Sequence, residues 1–330
     1  MRRSPLLVLS GPGQRDGGCL VRSRRSLRYA ARALSRWRDR VRSASRLPER
    51  HGAGKPRRYR RRRAKAGRTL SPGVAECDAA GCHGPTTPTF SVSPAVLKEL
   101  AVAGRSMGVR LHTHLSETAE YVRYCREVHD MTPVEFCAEH GWLGEDVWFA
   151  HMVHVDDSEI PLLQQTGTGI AHCPQSNCRL GSGIARVPEM AKRGIPISLA
   201  VDGAASNEAA DMVQEAHTAW MIHRALGGAD AVTVEDVVHW GTRGGAEVLG
   251  LTGLGLIEPG KAADLVVYDL DQPRYFGVHD PAVAPVVAGG SATIRYLLIN
   301  GRVCVQDGVV PGLDMEGLRA RAAETVAALA

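Results

Sequence analysis

Four short apolar runs, each ending in a side chain able to bind a metal or move a proton, constrain this chain more than any other feature. They are Val109-Arg-Leu-His-Thr-His114, Val147-Trp-Phe-Ala-His151, Gly167-Thr-Gly-Ile-Ala-His172 and Pro196-Ile-Ser-Leu-Ala-Val-Asp202. All are too short for helices and are bounded by glycine, proline or polar residues, which reads as buried strands. Helix signals lie between them. Ser93 caps a helix with Pro94 in its first turn and Gly108 at its end. Thr132-Pro133-Val134-Glu135 is a capping box that predicts a helix over Pro133–His140. Further helices are expected over Asp156–Gln165, over Val187–Arg193, and from Asn207 to about Leu226, the last with Val213, Ala216 and Trp220 on one apolar stripe. Thr86–Val92 reads as a weaker leading strand. Parallel strands that present His, His, His and Asp at their carboxyl ends form the working face of a (β/α) barrel.

The pattern changes after Leu254. A Pro259-Gly260 turn precedes an alternating strand ending at Asp269, and Ile294–Ile299 and Val303–Gln306 flank an Asn300-Gly301 hairpin turn. Met315–Ala330 reads as a final helix. The expected fold is therefore α/β: a partial (β/α)8 TIM-type barrel, its C-terminal half recognisable, with a small β-sandwich domain. The expected divisions are 1–84, 85–250 for the barrel, 251–314 for the sandwich portion and 315–330 for the helix.

Net charge has to be read by region. The chain carries +5 overall, but residues 1–70 hold 23 Arg+Lys against 3 Asp+Glu, which leaves 17 against 32 for the remainder. The barrel region is acidic, so the basic total gives no reason to expect a nucleic-acid partner. Residues 1–84 are Arg-rich and poor in aliphatics. They are expected to be disordered or not to be the native start of the protein, with a nucleic-acid or membrane-surface arm and an organelle transit peptide as alternatives. Cys77-x4-Cys82-His83 is expected to be a turn, not a metal site. The eight cysteines form no CxxC pair and no apolar run reaches the length of a membrane span, so a reduced, cytoplasmic setting without a membrane is expected.

A divalent metal lowers the pKa of bound water to near 7, and needs neutral imidazoles and a carboxylate on rigid elements to do so. His-Leu-Ser-Glu-Thr (114–118), Ala-His (150–151), Ala-His-Cys-Pro-Gln-Ser-Asn (171–177), Val-Asp-Gly-Ala-Ala-Ser-Asn (201–207) and Glu-Pro-Gly-Lys-Ala-Ala-Asp (258–264) fit that need. Together they resemble the amidohydrolase superfamily, in its mononuclear aminohydrolase branch. Arg179–Ile184, Asp202–Asn207 and His279-Asp-Pro281 are most similar to 8-oxoguanine deaminases and hydroxyatrazine aminohydrolases.

The resemblance covers about residues 85–325 and implies a role for each residue that matches. His114 and Asp202 would hold one Zn2+ or Fe2+ per subunit. Glu117 would shuttle a proton to a heteroaromatic ring, His151 would orient and assist hydroxide, and Asp202 would also accept the water proton. His172, Arg179, Ser206 and Asn207 would lie on the substrate side. The family's first strand carries a His-x-His pair, which residues 1–85 lack. His112-Thr-His114 cannot replace it, because eight βα units do not fit between His112 and Asp202. His112 and His154 are expected to be structural, and Trp142, Trp148 and Trp220 to be core or helix-packing residues. The other zinc-deaminase signature, H-x-E with P-C-x-x-C, is absent.

The implied activity is hydrolytic deamination of an amino-heterocycle, with 8-oxoguanine first and an s-triazine or another purine or pyrimidine as the alternative. A truncated homologue with an incomplete metal site, or an Arg-rich binding protein, is the reading from another class. A small-molecule substrate is the expected partner, and homo-oligomerisation is left open.

Overall fold

The computed structural model describes residues 6–10 and 82–329. Their nine strands form two sheets. The first is antiparallel, in the order β1 (Leu6–Ser10), β7 (Leu265–Asp269), β8 (Ile294–Ile299), β9 (Arg302–Gln306). The second is parallel and strictly sequential: β2 (Cys82–His83), β3 (Arg110–Leu115), β4 (Val147–His151), β5 (Gly169–His172), β6 (Ile197–Leu199). Sequential parallel order with a helical crossover at each step is the arrangement of a (β/α)8-type barrel, and the expected fold class holds.

Strand pleating sorts the side chains. Leu111 and Leu115 are buried on one face of β3, whereas Arg110, His112 and His114 are half-buried on the other. The first face joins a core with Phe149, Ile170 and Ile197 from the sheet and Leu97, Leu100, Phe136, Trp142, Leu163 and Met190 from the covering helices and the segments that join them. Trp142 is fully buried and its indole N–H donates to the Leu97 carbonyl at 2.9 Å. The inner face packs Trp148, Ala150 and Ala171 against Val248. Buried Glu159 ties two helices together: its carboxylate accepts from the Val134 N–H at 2.8 Å and the Asp156 N–H at 2.7 Å. Trp220 is only half-buried, with the Arg224 guanidinium 5.2 Å from its ring.

Several expectations need correction. Thr86–Val92 is not a strand, because Pro88 opens a one-turn helix over Pro88–Ser91. The Pro85 and Thr86 carbonyls instead accept from the Thr113 hydroxyl (2.8 Å) and the His114 N–H (3.1 Å). The leading strand lies earlier, at Cys82–His83, so this pair is not the turn expected; Cys77 falls outside the described residues. There the chain passes so near β3 that a Cβ on Gly84 would sit 1.7 Å from the His112 carbonyl oxygen. Leu6–Ser10, inside the segment expected to be disordered, pairs with β7 in the register Leu6↔Asp269 to Ser10↔Leu265. The rest of 1–81 lies outside the described residues. The long helix runs over Met212–Gly227, capped by Asp211, not by Asn207, whose side chain is used elsewhere.

Candidate functional site

Register places the chemistry at one rim. His114 is level with Ala150, and Leu115 with His151, so β3 and β4 end together. Beyond these ends the backbone turns sharply: Ser116, His151, Met152 and Asp202 all take positive φ (49°, 73°, 50° and 60°). For residues other than glycine this costs on the order of 1–3 kcal/mol each, and such strain clusters at functional sites. It turns the side chains of His151 and Asp202 toward His114. One ligand-capable atom from each of His114, His151 and Asp202 lies within 4.8 Å of the others.

Each member of the cluster is held by a partner that defines its chemical state. The His114 Nδ1 is 3.0 Å from the Thr86 carbonyl, which can only accept, so Nδ1 carries the proton and Nε2 keeps a lone pair. Burial and the neighbouring His151 push His114 below the usual histidine range, which favours the neutral ring a metal needs. His151 is fully buried; its Nδ1 lies 2.9 Å from Asn177 Oδ1, while its Nε2 is buried without a hydrogen-bond partner. Glu117 lies in the turn just before Thr118, the cap of the Ala119–His129 helix, and its Oε2 is 3.7 Å from that Nε2. Asp202 accepts from the Ser176 hydroxyl at 2.6 Å and the Ser206 hydroxyl at 2.9 Å. Burial works to raise its pKa, but these bonds, His151 and the Gly203 N–H together hold it below the ordinary carboxylate value.

The donor set fits a divalent ion: two imidazoles with free nitrogens and an ionised carboxylate meet around an orphaned buried nitrogen. Second-sphere partners of this kind are what orient metal ligands.

The residues assigned to the substrate side are placed differently. His172 is pushed below the usual histidine range by burial, by His223 and by the nearby His151, but it is not one of the clustered groups. Its neighbour Ala171 packs on the inner face with Trp148 and Ala150, so strand alternation turns His172 toward the outer helix. There its Nε2 is 3.1 Å from the Nε2 of His223. Arg179 is exposed and ion-paired with Glu208. Ser206 is bonded to Asp202, and buried Asn207 donates to Glu215 while accepting from the Ala210 N–H at 3.2 Å. Ser206 and Asn207 therefore brace the site. His112 stacks on Trp148, with ring centroids 4.9 Å apart, and His154 bonds the Ser182 carbonyl at 2.9 Å, as structural residues do. Thr86, Ser176, Asn177, Glu215 and His223 had no role in the sequence reading. For Ser176 and Asn177 a signal existed, since both follow directly on a strand that ends at the rim.

The amidohydrolase family model matches residues 52–304. The chain belongs to the amidohydrolase family. It is 49% identical over 257 residues to an isoxanthopterin deaminase from an unknown prokaryotic organism, covering 73% of this chain and 53% of that protein. It is 41% identical over 240 residues to the 8-oxoguanine deaminase of Pseudomonas aeruginosa, with the same coverage of 73% and 53%. Among solved structures, an amidohydrolase from an environmental sample of the Sargasso sea superposes with a TM-score of 0.75 at 42% identity, covering 86% of this chain and 62% of that one. Atrazine chlorohydrolase TrzN from Arthrobacter aurescens TC1, complexed with zinc, superposes with a TM-score of 0.69 at 31% identity, covering 73% and 53%. The chain spans about half the length of the curated relatives it matches.

Proposed function

We propose that this protein is a metal-dependent hydrolytic deaminase of a bicyclic amino-heterocycle. The observation that carries the reading is the convergence of His114, His151 and Asp202 within 4.8 Å at one rim, with Glu117 beside them. His114 and Asp202 would hold the ion, and zinc is favoured because a solved relative carries it. When bound, a divalent ion lowers the pKa of a water to near 7 and so supplies hydroxide at neutral pH.

The remaining work falls to the chain's own groups. Asn177 accepts the Nδ1 proton of His151, so the imidazole presents Nε2 as a base toward the cluster. Asp202, ionised and oriented by two serine hydroxyls, is the acceptor for a proton released from water. Glu117, part-exposed and 3.7 Å from His151, can carry a proton to a ring nitrogen of the substrate and on to the departing amine.

On the substrate, 8-oxoguanine and isoxanthopterin share an aminopyrimidinone ring fused to an oxidised second ring, and that unit is the proposed recognition element. The similarity to deaminases named for both supports it. An s-triazine remains the second reading, favoured by the likeness to the triazine enzyme. A cytoplasmic location belongs to the same proposal; among the described residues no helix is long and apolar enough to cross a membrane.

The test is ammonia release by the purified, zinc-loaded chain from 8-oxoguanine, isoxanthopterin and a triazine, with Glu117→Gln as control. Release from a fused-ring compound that is abolished by Glu117→Gln supports the reading. Zinc uptake with no release from any of them overturns it.

A further inference from the structure

One buried carboxylate outside the metal cluster has an arrangement that the chemistry above does not use. Glu215 lies in the Met212–Gly227 helix and is fully buried, and its two hydrogen-bond donors are a backbone N–H and a side-chain amide, neither of them charged. Its two oxygens face two different segments, the first turn of the Pro174–Leu180 helix and the loop after Asp202. Oε2 accepts the backbone N–H of Gln175 at 3.2 Å, and Oε1 accepts the side-chain amide of Asn207. Each segment holds Asp202 from one side: Ser176 follows Gln175, Ser206 precedes Asn207, and both hydroxyls bond the same oxygen, Asp202 Oδ2. The Pro174–Leu180 helix also carries Asn177, which holds His151.

We propose that Glu215 is a positioning residue that clamps the 174–177 and 203–210 segments together, and so sets the orientation of Asp202 and His151 without touching either. The orientation of Asn207 is independently determined, because its Oδ1 accepts the Ala210 N–H at 3.2 Å and leaves only the NH2 for Glu215. A buried carboxylate is costly unless it accepts hydrogen bonds, and here the two bonds lie on separate segments, which couples them. Burial raises Glu215 to about 7 against the pull of these two donors. A carboxyl kept at that cost in a helix whose other buried residues are Val213, Ala216, Ala219 and His223 has a use beyond packing.

The clamp can be tested by exchanging its chemistry. Glu215→Gln sets an NH2 against one of two donors and opens at least one arm. Asn207→Asp alone sets two carboxylates together. The double variant Glu215→Gln/Asn207→Asp reverses the pair: the amide at 215 donates to the carboxylate at 207 and still accepts from Gln175, and the Ala210 N–H keeps its acceptor. Two readouts apply, hydrogen–deuterium exchange of peptides 173–182 and 203–211 in the metal-free chain, and Co2+ affinity from its visible absorption.

The expected result for Glu215→Gln is faster exchange in both peptides and Co2+ affinity lower by about 10–100-fold. The double variant recovers both. Equal exchange in Glu215→Gln and the parent, change confined to one peptide, or failure of the double variant to recover would overturn the clamp. The metal readout rests on the proposed function and the exchange readout does not. A parent chain that takes up no Co2+ would count against the deaminase reading, while exchange still decides the clamp.

Discussion

Asn177 holds His151 in one tautomer: Oδ1 stands 2.9 Å from Nδ1, and Nε2 is left buried and unpartnered, facing Glu117. A buried imidazole nitrogen without a partner is a standing cost of about 1–3 kcal/mol, tolerated where the lone pair has work to do. Asn177→Leu removes the acceptor and frees the tautomer. Zinc affinity, read by competition with a chromophoric chelator, is expected to fall about 10–100-fold, and the orphaned Nδ1 should cost about 1–3 kcal/mol in stability. Unchanged affinity would show that Asn177 does not govern the site.

Metal binding should itself stabilise the fold. Zinc at a hundred times its Kd adds about 2.7 kcal/mol to the unfolding free energy. The melting temperature should rise on zinc addition, return with a chelator, and stay unmoved in Asp202→Asn. An Asp202→Asn melt that still rises with zinc would remove Asp202 from the ligand set.

The buried His172–His223 pair makes the protein acid-sensitive. Burial lowers His223 to about 4, from 6.5 for a free histidine, and pushes His172 down as well. Between pH 4 and 6.5 the unfolded chain binds more protons than the native one, so this pair's contribution to stability is lost as pH falls through that window. Glu215 acts in the opposite sense. Raised from 4.5 to about 7, it is more protonated in the native state, and its contribution declines as pH rises through that range. The two partly cancel. Urea melts of Glu215→Gln should therefore lose stability more steeply than the parent from pH 6.5 to 4; a parallel profile would refute the opposed pair.

Trp142 is the largest fully buried side chain among the described residues, and its indole N–H bonds the Leu97 carbonyl. Trp142→Ala should cost about 3–5 kcal/mol in urea denaturation, from lost contacts and the cavity left behind. Trp142→Phe should cost less, about 1 kcal/mol, from the smaller ring and the lost indole hydrogen bond, since the Leu97 carbonyl lies within the Pro94–Ser106 helix and keeps its helical partner. A loss below 1 kcal/mol for Trp142→Ala would mean that the helix layer is not packed on β3 as described.

Much of this was legible in the linear chain. His114 and His151 could be assigned to strand ends, and Asp202 to the turn just past one, because short apolar runs bounded by turn residues are a local property, and the Thr132 capping box could be read for the same reason. Local signals also misled. Pro88 outweighed the β-branched residues around it, and Asn207 resembled a cap while its amide was committed to a carboxylate eight positions on.

What the linear chain determined by itself was the order of the strands, the family and the three groups that meet, all written in residue type and spacing. Only the tertiary structure decided which way each side chain points and what holds it. It turned His172 outward to His223, gave Ser206 to Asp202, and brought Glu215 between a helix N-terminus and a loop that are remote from each other in sequence. Ser206 is only 4 residues from Asp202, but the other partners lie 8 to 51 residues away, and a residue's local pattern carries no record of a partner at that distance.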